Sequence, residues 1–297
     1  MQTTNFVLGC LLAMQVEAGE TKCRALALSG GANHGAWEAG VMWGLNHYGN
    51  PEDFAWDVVT GVSAGAINTC AISVFAPGDG VAMSEFVSET WATCTSPDIW
   101  VEWPEGAAAA LTSEGGVLDD SPALSFMSDA IAPYETIKRK FTVAAVNIET
   151  GQYETFNNEN TSFEELPQAA LSSSSIPGAF PPQHFHDMYL MDGGTVWDIN
   201  VDSAIQQCLE IVEDEADIIL DVMICSYSKP SAEQKTGNTV MNWLQAHQVH
   251  GSNNGSDSVK EEERKYPNVN YRYYFQDNDD CHVSNYLDFY NSTTWCL

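Results

Sequence analysis

Basic residues are scarce in this sequence. Its 297 residues hold 11 Lys+Arg against 41 Asp+Glu, a formal net charge of −30. Affinity for a phosphate backbone comes mainly from Lys and Arg that displace counterions, so the shortage argues against a nucleic-acid binder. It argues equally against a protein held on anionic membranes by a polybasic patch. Long apolar runs are missing too. No stretch approaches the 18 apolar residues that a membrane-spanning helix needs, so no transmembrane segment is expected. None of the cysteine spacings is CxxC, which argues against zinc knuckles and thioredoxin-type redox centres. Heptads, collagen triplets and repeat arrays find no periodic support.

What is present describes a folded protein with a large core. Apolar residues make up 44% of the chain, and nine Trp are spread along it, which is the wrong composition for disorder. Phe6 to Met14 (FVLGCLLAM) followed by Val16-Glu17-Ala18 has the form of a secretory signal peptide cleaved after Ala18. The competing reading is a hydrophobic first element of the domain. The acceptor triplets at Asn160, Asn254 and Asn291 fit a secreted glycoprotein, and eight cysteines fit a disulfide-permitting compartment. Cys10 would leave with the leader, so an odd number remains and one thiol stays free or pairs between chains. Cys281 and Cys296 could staple the C-terminal segment, though pairings cannot be read from spacing. The expected location is secreted, or the lumen of the endomembrane system.

The organisation points to an α/β domain over 19–297. Arg24–Leu28 is a short strand that stops at Ser29-Gly30-Gly31, and a helical pattern runs from His34 to His47. Asp57–Thr60 is a second short strand, broken at Gly61, and Ala64–Val74 is a small-residue helix. Strand, glycine turn and helix, twice over, predict a mostly parallel sheet with crossover helices. Further along, Lys140–Ile148 and Gln152–Phe156 read as a hairpin, Phe163–Leu171 as a helix, and Tyr189–Met191 as a strand stub. Ser203–Val212 reads as a helix and Asp217–Ser226 as a strand. The polar stretch 252–258 (SNNGSDS) reads as a flexible loop.

Three turns carry chemistry. Gly61-Val62-Ser63-Ala64-Gly65 is a G-x-S-x-G between a strand and a helix. A nucleophilic serine on such a tight turn needs small neighbours, here Gly61 and Gly65, and the turn lifts its hydroxyl clear of the sheet. The helix that follows favours developing negative charge at its N-terminus. Ser29 to Gly35 (SGGANHG) is another strand-to-helix turn whose backbone N–H groups can hold a phosphate or an oxyanion. A dinucleotide fingerprint is weakened because Ala32 stands where a third Gly is expected, and no Gly-Lys-Ser/Thr follows to make a P-loop. Asp192-Gly193-Gly194 follows the strand stub. Alone it would be an ordinary turn, but a hydrolytic serine needs a base.

In this order the turns resemble those of the patatin-like phospholipases, related in chemistry to cytosolic phospholipase A2. Leu28 to Val41 resembles the first block of that family, and Gly61 to Asn68 (GVSAGAIN) its nucleophile block. Ser173 to Pro182 resembles its proline stretch, and Asp192-Gly193-Gly194 with Asn200 its last block. The resemblance covers about residues 24–205. It implies a three-layer α/β/α fold and a Ser–Asp dyad that needs no histidine, metal or cofactor. Ser63 would be the nucleophile and Asp192 the proton acceptor, with Gly193 and Gly194 supporting the turn. Gly30, Gly31 and Ala32, helped by His34 and Ala64, would form the oxyanion hole. The implied substrate is a phospholipid or another acyl-ester lipid, met by peripheral contact with a lipid surface. One departure is notable: family members usually carry Arg or Lys where this chain has His34. Histidine is charged only below about pH 6.5, so full activity would be confined to acidic conditions. A purely structural His34 is the alternative.

Two rival functions stand beside this one. Ser63, Asp192 and His247, His250 or His282 would satisfy the Ser…Asp…His order of α/β-hydrolases, although those folds place more strands before the nucleophile. A storage or interaction protein could keep the fold without turnover. His184 and His186, two residues apart, lack a carboxylate or Cys partner at metal-binding spacing. Asp277–Asp280 lacks the Gly and terminal Glu of a calcium loop.

Overall fold

The computed structural model describes residues 21–106, 110, 112, 115–225, 239–276, 287 and 289. The leader, the Asn291 triplet, Cys281, Cys296, His282 and Asp277–Asp280 all lie outside the described residues. Ten strands are described: β1 (Cys23–Leu28), β2 (Val58–Gly61), β3 (Val101–Glu102), β4 (Leu118–Asp119), β5 (Lys140–Asn147), β6 (Tyr153–Asn157), β7 (Gln183–Phe185), β8 (Met188–Asp192), β9 (Ile218–Ile224) and β10 (Asn270–Gln276). β3 and β4 form a small ribbon, and the other eight form one sheet in the order β10-β9-β1-β2-β5-β8-β7, with β6 also on β5. The run from β10 to β5 is parallel, and β6, β8 and β7 add antiparallel pairs at one side.

Side chains alternate across the central strands, as a two-residue period requires. Leu26, Leu28 and Val59 face a layer that contains helix α1 (Gly35–Tyr48), helix α2 (Ala64–Ser73) and the helices Gly80–Thr93, Ser121–Ile131 and Leu166–Ser174. Ala25, Ala27 and Val58 face the opposite layer, where Val201–Leu209 and Thr239–Lys265 pack. The architecture is therefore a three-layer α/β/α domain with a mostly parallel sheet. The β1–α1–β2–α2 order matches the reading of the two glycine turns.

The stretch 252–258 is not a loop. It lies inside the 27-residue helix Thr239–Lys265. Gly251 and Gly255 are four residues apart, so they share one face, and a Cβ on either would come within about 3.5 Å of the Asp198 carboxylate. Asn254 Nδ2 donates to Val196 O at 2.6 Å, and Arg264 and Lys265 oppose the negative end of the helix dipole. Packing on the sheet layer outweighs the low helix propensity of Gly, Asn and Ser. That hydrogen bond also places the Asn254 amide against the fold rather than at a loop tip. The helix expected at Phe163–Leu171 begins later, at Leu166, with Pro167 in its first turn where the missing N–H costs nothing. β9 stops at Ile224, two residues short of the expected end.

A disulfide joins Cys23 on β1 to Cys208 on the helix Val201–Leu209, tying that helix to the sheet across 185 residues of sequence. Cys70, Cys94 and Cys225 are buried thiols.

Candidate active site

β1 and β2 run parallel with Leu28 level with Gly61, so the two glycine turns leave the sheet side by side at its carboxyl end. They are also tied to each other. Val62 N donates to Leu28 O at 3.3 Å, and Gly65 N donates to Ser29 O at 3.1 Å. The approach is closer than any side chain allows: a Cβ on Gly61 would sit 2.0 Å from Gly65 O, and one on Gly65 would sit 2.6 Å from Leu28 O. That is the physical reason for glycine at both ends of the G-x-S-x-G.

Between them Ser63 adopts φ 54°, ψ −119°, a conformation that non-glycine residues rarely hold and that persists where surrounding structure enforces it. Its N–H donates to Ser173 Oγ at 3.0 Å, and that hydroxyl donates onward to Ala144 O at 2.6 Å. Ser63 caps α2, and the N–H of Ala64, the first helical residue, donates to no described group.

Asp192 ends β8, level with Ala145 of β5 in antiparallel register. Ser63 reaches β5 through Ser173 and Ala144, one residue away. Ser63 and Asp192 thus flank one strand, about 10 Å apart at the backbone by sheet spacing. Asp192 is 1% exposed, and its Oδ1 accepts the Gly194 N–H at 2.8 Å. Gly193 is needed because a Cβ there would meet Ala144 O at 2.4 Å. A carboxylate held by a backbone donor at a strand end is fixed in place.

The first turn presents backbone N–H groups. Gly31 and Ala32 donate to no described group, whereas Gly30 N donates to Asp198 O at 2.9 Å and His34 N to Gly31 O at 3.0 Å. In this arrangement the N–H groups left for an oxyanion are those of Gly31, Ala32 and Ala64, and the Gly30 N–H is engaged elsewhere. Ala32 has φ 51°, the left-handed region that glycine prefers. The His34 side chain is fully buried beneath the turn, at the N-terminus of α1. His250 is exposed on its helix, and the side chain of His247 lies outside the described residues.

Two buried carboxyls near the turns carried no recognisable sequence pattern. Asp198, 5% exposed, lies against the turn: the space a Gly30 Cβ would fill is 2.5 Å from Asp198 Oδ1 and 3.1 Å from Ser63 Cβ. Glu38 on α1 is fully buried and accepts from Asn68 Nδ2 at 2.8 Å. Burial raises its pKa to about 8, against the lowering effect of the Asn68 bond, so it is mostly protonated at neutral pH. Asn68 in turn accepts from Trp91 Nε1 at 2.6 Å, which links α1, α2 and the Gly80–Thr93 helix under the site. Trp91 is therefore core. Trp100, Trp103 and Phe126 are partly buried.

Beside Ser63 opens a narrow crevice with about 30 Å³ of free space. Ala32 and Ala64 stand with Ser63 in its wall, and Ile67, Leu171, Ile176 and Phe180 make much of the rest apolar. An apolar crevice with a serine hydroxyl and unpaired N–H groups at one place has the chemistry to take an ester with a hydrocarbon acyl group. Among the described residues no group of His, Cys, Asp and Glu is placed to hold a metal ion. No described helix is long and apolar enough to cross a membrane.

This combination of a mostly parallel sheet between helix layers, a serine turn and a glycine turn is that of a patatin-like three-layer fold. The patatin-like phospholipase family model matches residues 26–205, and the chain belongs to that family. Comparison with curated proteins returns no match. Among solved structures, VipD from Legionella pneumophila is similar at 14% identity and TM-score 0.38, over 76% of this chain and 52% of that one. ExoU of Pseudomonas aeruginosa, solved with SpcU, is similar at 16% identity and TM-score 0.35, over 81% and 52%. The chain thus spans about half the length of these proteins.

Proposed function

We propose that this protein is a secreted or endomembrane acyl hydrolase that cleaves carboxylic esters of phospholipids or related acylglycerols through Ser63 and Asp192. The observation that carries the reading is Ser63 itself, held at positive φ on a strand-to-helix turn at the wall of an apolar crevice. Ser63 Oγ attacks the ester carbonyl while its proton passes to Asp192. The oxyanion is held by the N–H groups of Gly31, Ala32 and Ala64. Collapse releases the alcohol, which takes the proton from Asp192. Water, deprotonated by the same carboxylate, then frees the fatty acid and restores the serine. Membership of the patatin-like family supports lipid as the substrate class. The charge of −30 favours neutral or zwitterionic lipid surfaces over anionic ones. Turnover on liposomes that climbs with anionic lipid content at low salt would contradict that preference.

The test is hydrolysis of a short-chain p-nitrophenyl ester and of phosphatidylcholine from pH 4.5 to 8. Ser63→Ala and Asp192→Asn are each expected to lose at least about 10³-fold in kcat, whereas His282→Ala retains activity. If His282→Ala is equally inactive, the dyad is wrong. The same series with His34→Arg asks whether His34 contributes charge: a profile that rises below pH 6.5 and is flattened by Arg supports that role. An unchanged profile leaves His34 as packing.

A further inference from the structure

The crevice beside Ser63 is mostly apolar, and besides the Ser63 and Ser174 hydroxyls its described wall holds one carboxyl. Asp120 contributes to the same wall as Ile67, Leu171, Ile176 and Phe180, and only 3% of it is exposed. It sits at the N-terminal end of the helix Ser121–Ile131 but gives that helix no side-chain cap. Its oxygens accept from neutral groups: Ser175 Oγ at 3.3 Å, and Gln183 Nε2 at 3.2 and 3.3 Å. These are long bonds for a buried carboxylate, and no Lys, Arg or His stands among the described residues of the wall.

The elements packed around it offer no compensating charge. β4 brings Asp119, which acts with the same sign. Ser174 and Ser175 close the helix Leu166–Ser174, β7 brings Gln183 with His184 turned to solvent, and α2 brings Ser63 and Ile67. Asp98, on the neighbouring short helix Ser96–Ile99, directs its carboxylate at Thr95. On its own helix Asp129 is exposed. Burial accordingly pushes the Asp120 carboxyl up to about 7 against the lowering effect of its hydrogen bonds.

We propose that Asp120 determines acyl-chain selection: with its carboxyl protonated the crevice accepts a long apolar acyl chain, and with the carboxyl ionised it rejects one. The proposal rests on the reading of this crevice as the acyl site. An ionised carboxylate in an apolar wall keeps water, and a hydrocarbon chain can enter only by removing that water or by forcing the proton back on. Either route makes chain binding weaken by up to tenfold for each pH unit above 7. A short acyl group displaces less of that water than a long chain and feels the effect less. The crevice would then favour long chains in acidic surroundings and lose that preference in alkaline ones.

The experiment is the ratio of kcat/KM for p-nitrophenyl octanoate to that for p-nitrophenyl acetate, at pH 6 and pH 8. Taking the ratio cancels any pH dependence of the catalytic step, which both esters share. For the wild type the ratio is expected to fall about tenfold between the two pH values, and for Asp120→Asn to stay constant. A flat wild-type ratio overturns the proposal, as does a fall of the same size in Asp120→Asn. Asp120→Ser provides the same comparison if the asparagine variant does not fold. Calorimetric binding of octanol, run in parallel, separates this idea from the catalytic one. If neither ester is hydrolysed but octanol binds about tenfold more tightly at pH 6 than at pH 8 in the wild type alone, the catalytic reading fails and Asp120 keeps its role. Octanol bound equally at both pH values overturns the proposal whatever the esters do.

Discussion

The two strand-to-helix turns are nearly the same object put to two uses. They leave adjacent parallel strands at the same level, and each holds one non-glycine residue at positive φ, Ala32 at 51° and Ser63 at 54°. The second turns a side chain outward at the crevice. The first leaves the Gly31 and Ala32 N–H groups unpaired and buries its polar side chains, with His34 and Asn33 fully enclosed. A nucleophile needs a hydroxyl on a fixed stalk, whereas an oxyanion needs donors that cannot rotate away. In the proposed hydrolase, pairing the turns supplies both, and the hydrogen bonds from Gly65 and Val62 to Ser29 and Leu28 keep their spacing fixed.

The most severe way to break that pairing is to separate the turns. Gly65→Ala would push a methyl group to 2.6 Å from Leu28 O, a backbone atom that cannot swing aside. We expect a loss of at least about 3 kcal/mol in stability, or failure to fold. Gly44→Ala is the control. Gly44 lies inside α1 with nothing within 4 Å of a new Cβ, so the substitution should stabilise by up to about 1 kcal/mol through helix propensity. Chemical denaturation of both variants decides it, and a Gly65→Ala protein as stable as wild type would mean that the turns are not held together as described.

The next effect concerns the layer beneath the turns. Glu38 has a folded pKa of about 8 against an ordinary value of 4.5. The folded state therefore binds more protons than the unfolded one between those values, and stability is complete below about pH 4.5 and declines as pH rises towards 8. Glu38→Gln keeps an acceptor for Asn68 and removes the titration. At pH 7.5 it is expected to be more stable than wild type by about 2 kcal/mol, and near pH 4.5 to lose that advantage. Thermal melts at the two pH values measure the difference. Equal differences at both would show that Glu38 does not titrate in this window.

The turns were legible in the sequence because close backbone approach leaves a mark in residue type. Gly61, Gly65 and Gly193 are places where a Cβ has no room, and glycine there reports that directly. The parallel core was legible from the strand-turn-helix alternation. The helix Thr239–Lys265 was not, because its glycines serve packing against Asp198, a long-range contact that looks locally like a loop. Asp198, Glu38 and Asp120 were equally silent. Each is an ordinary surface residue type, and only the fold buries it. The Cys23–Cys208 bond could not be chosen among the pairings that the cysteines allow.

The smallest effect separates the two uses of strain. Ala32→Gly and Ser63→Gly both put glycine where the backbone already has positive φ. Each relieves a left-handed conformation worth roughly 1–2 kcal/mol, less the extra chain entropy that glycine loses on folding, roughly 0.5–1 kcal/mol. Each should therefore gain about 0.5 kcal/mol, which for a chain of this length is roughly 1 °C in Tm. The stability changes should match, but activity should not. Ala32→Gly leaves the N–H groups of the first turn in place and should retain ester hydrolysis, whereas Ser63→Gly removes the nucleophile and should abolish it. Differential scanning calorimetry alongside the ester assay makes the comparison. A lower Tm for Ala32→Gly would mean that its methyl group packs well enough to outweigh the strain, and the likeness between the turns would then hold for backbone shape but not for its cost.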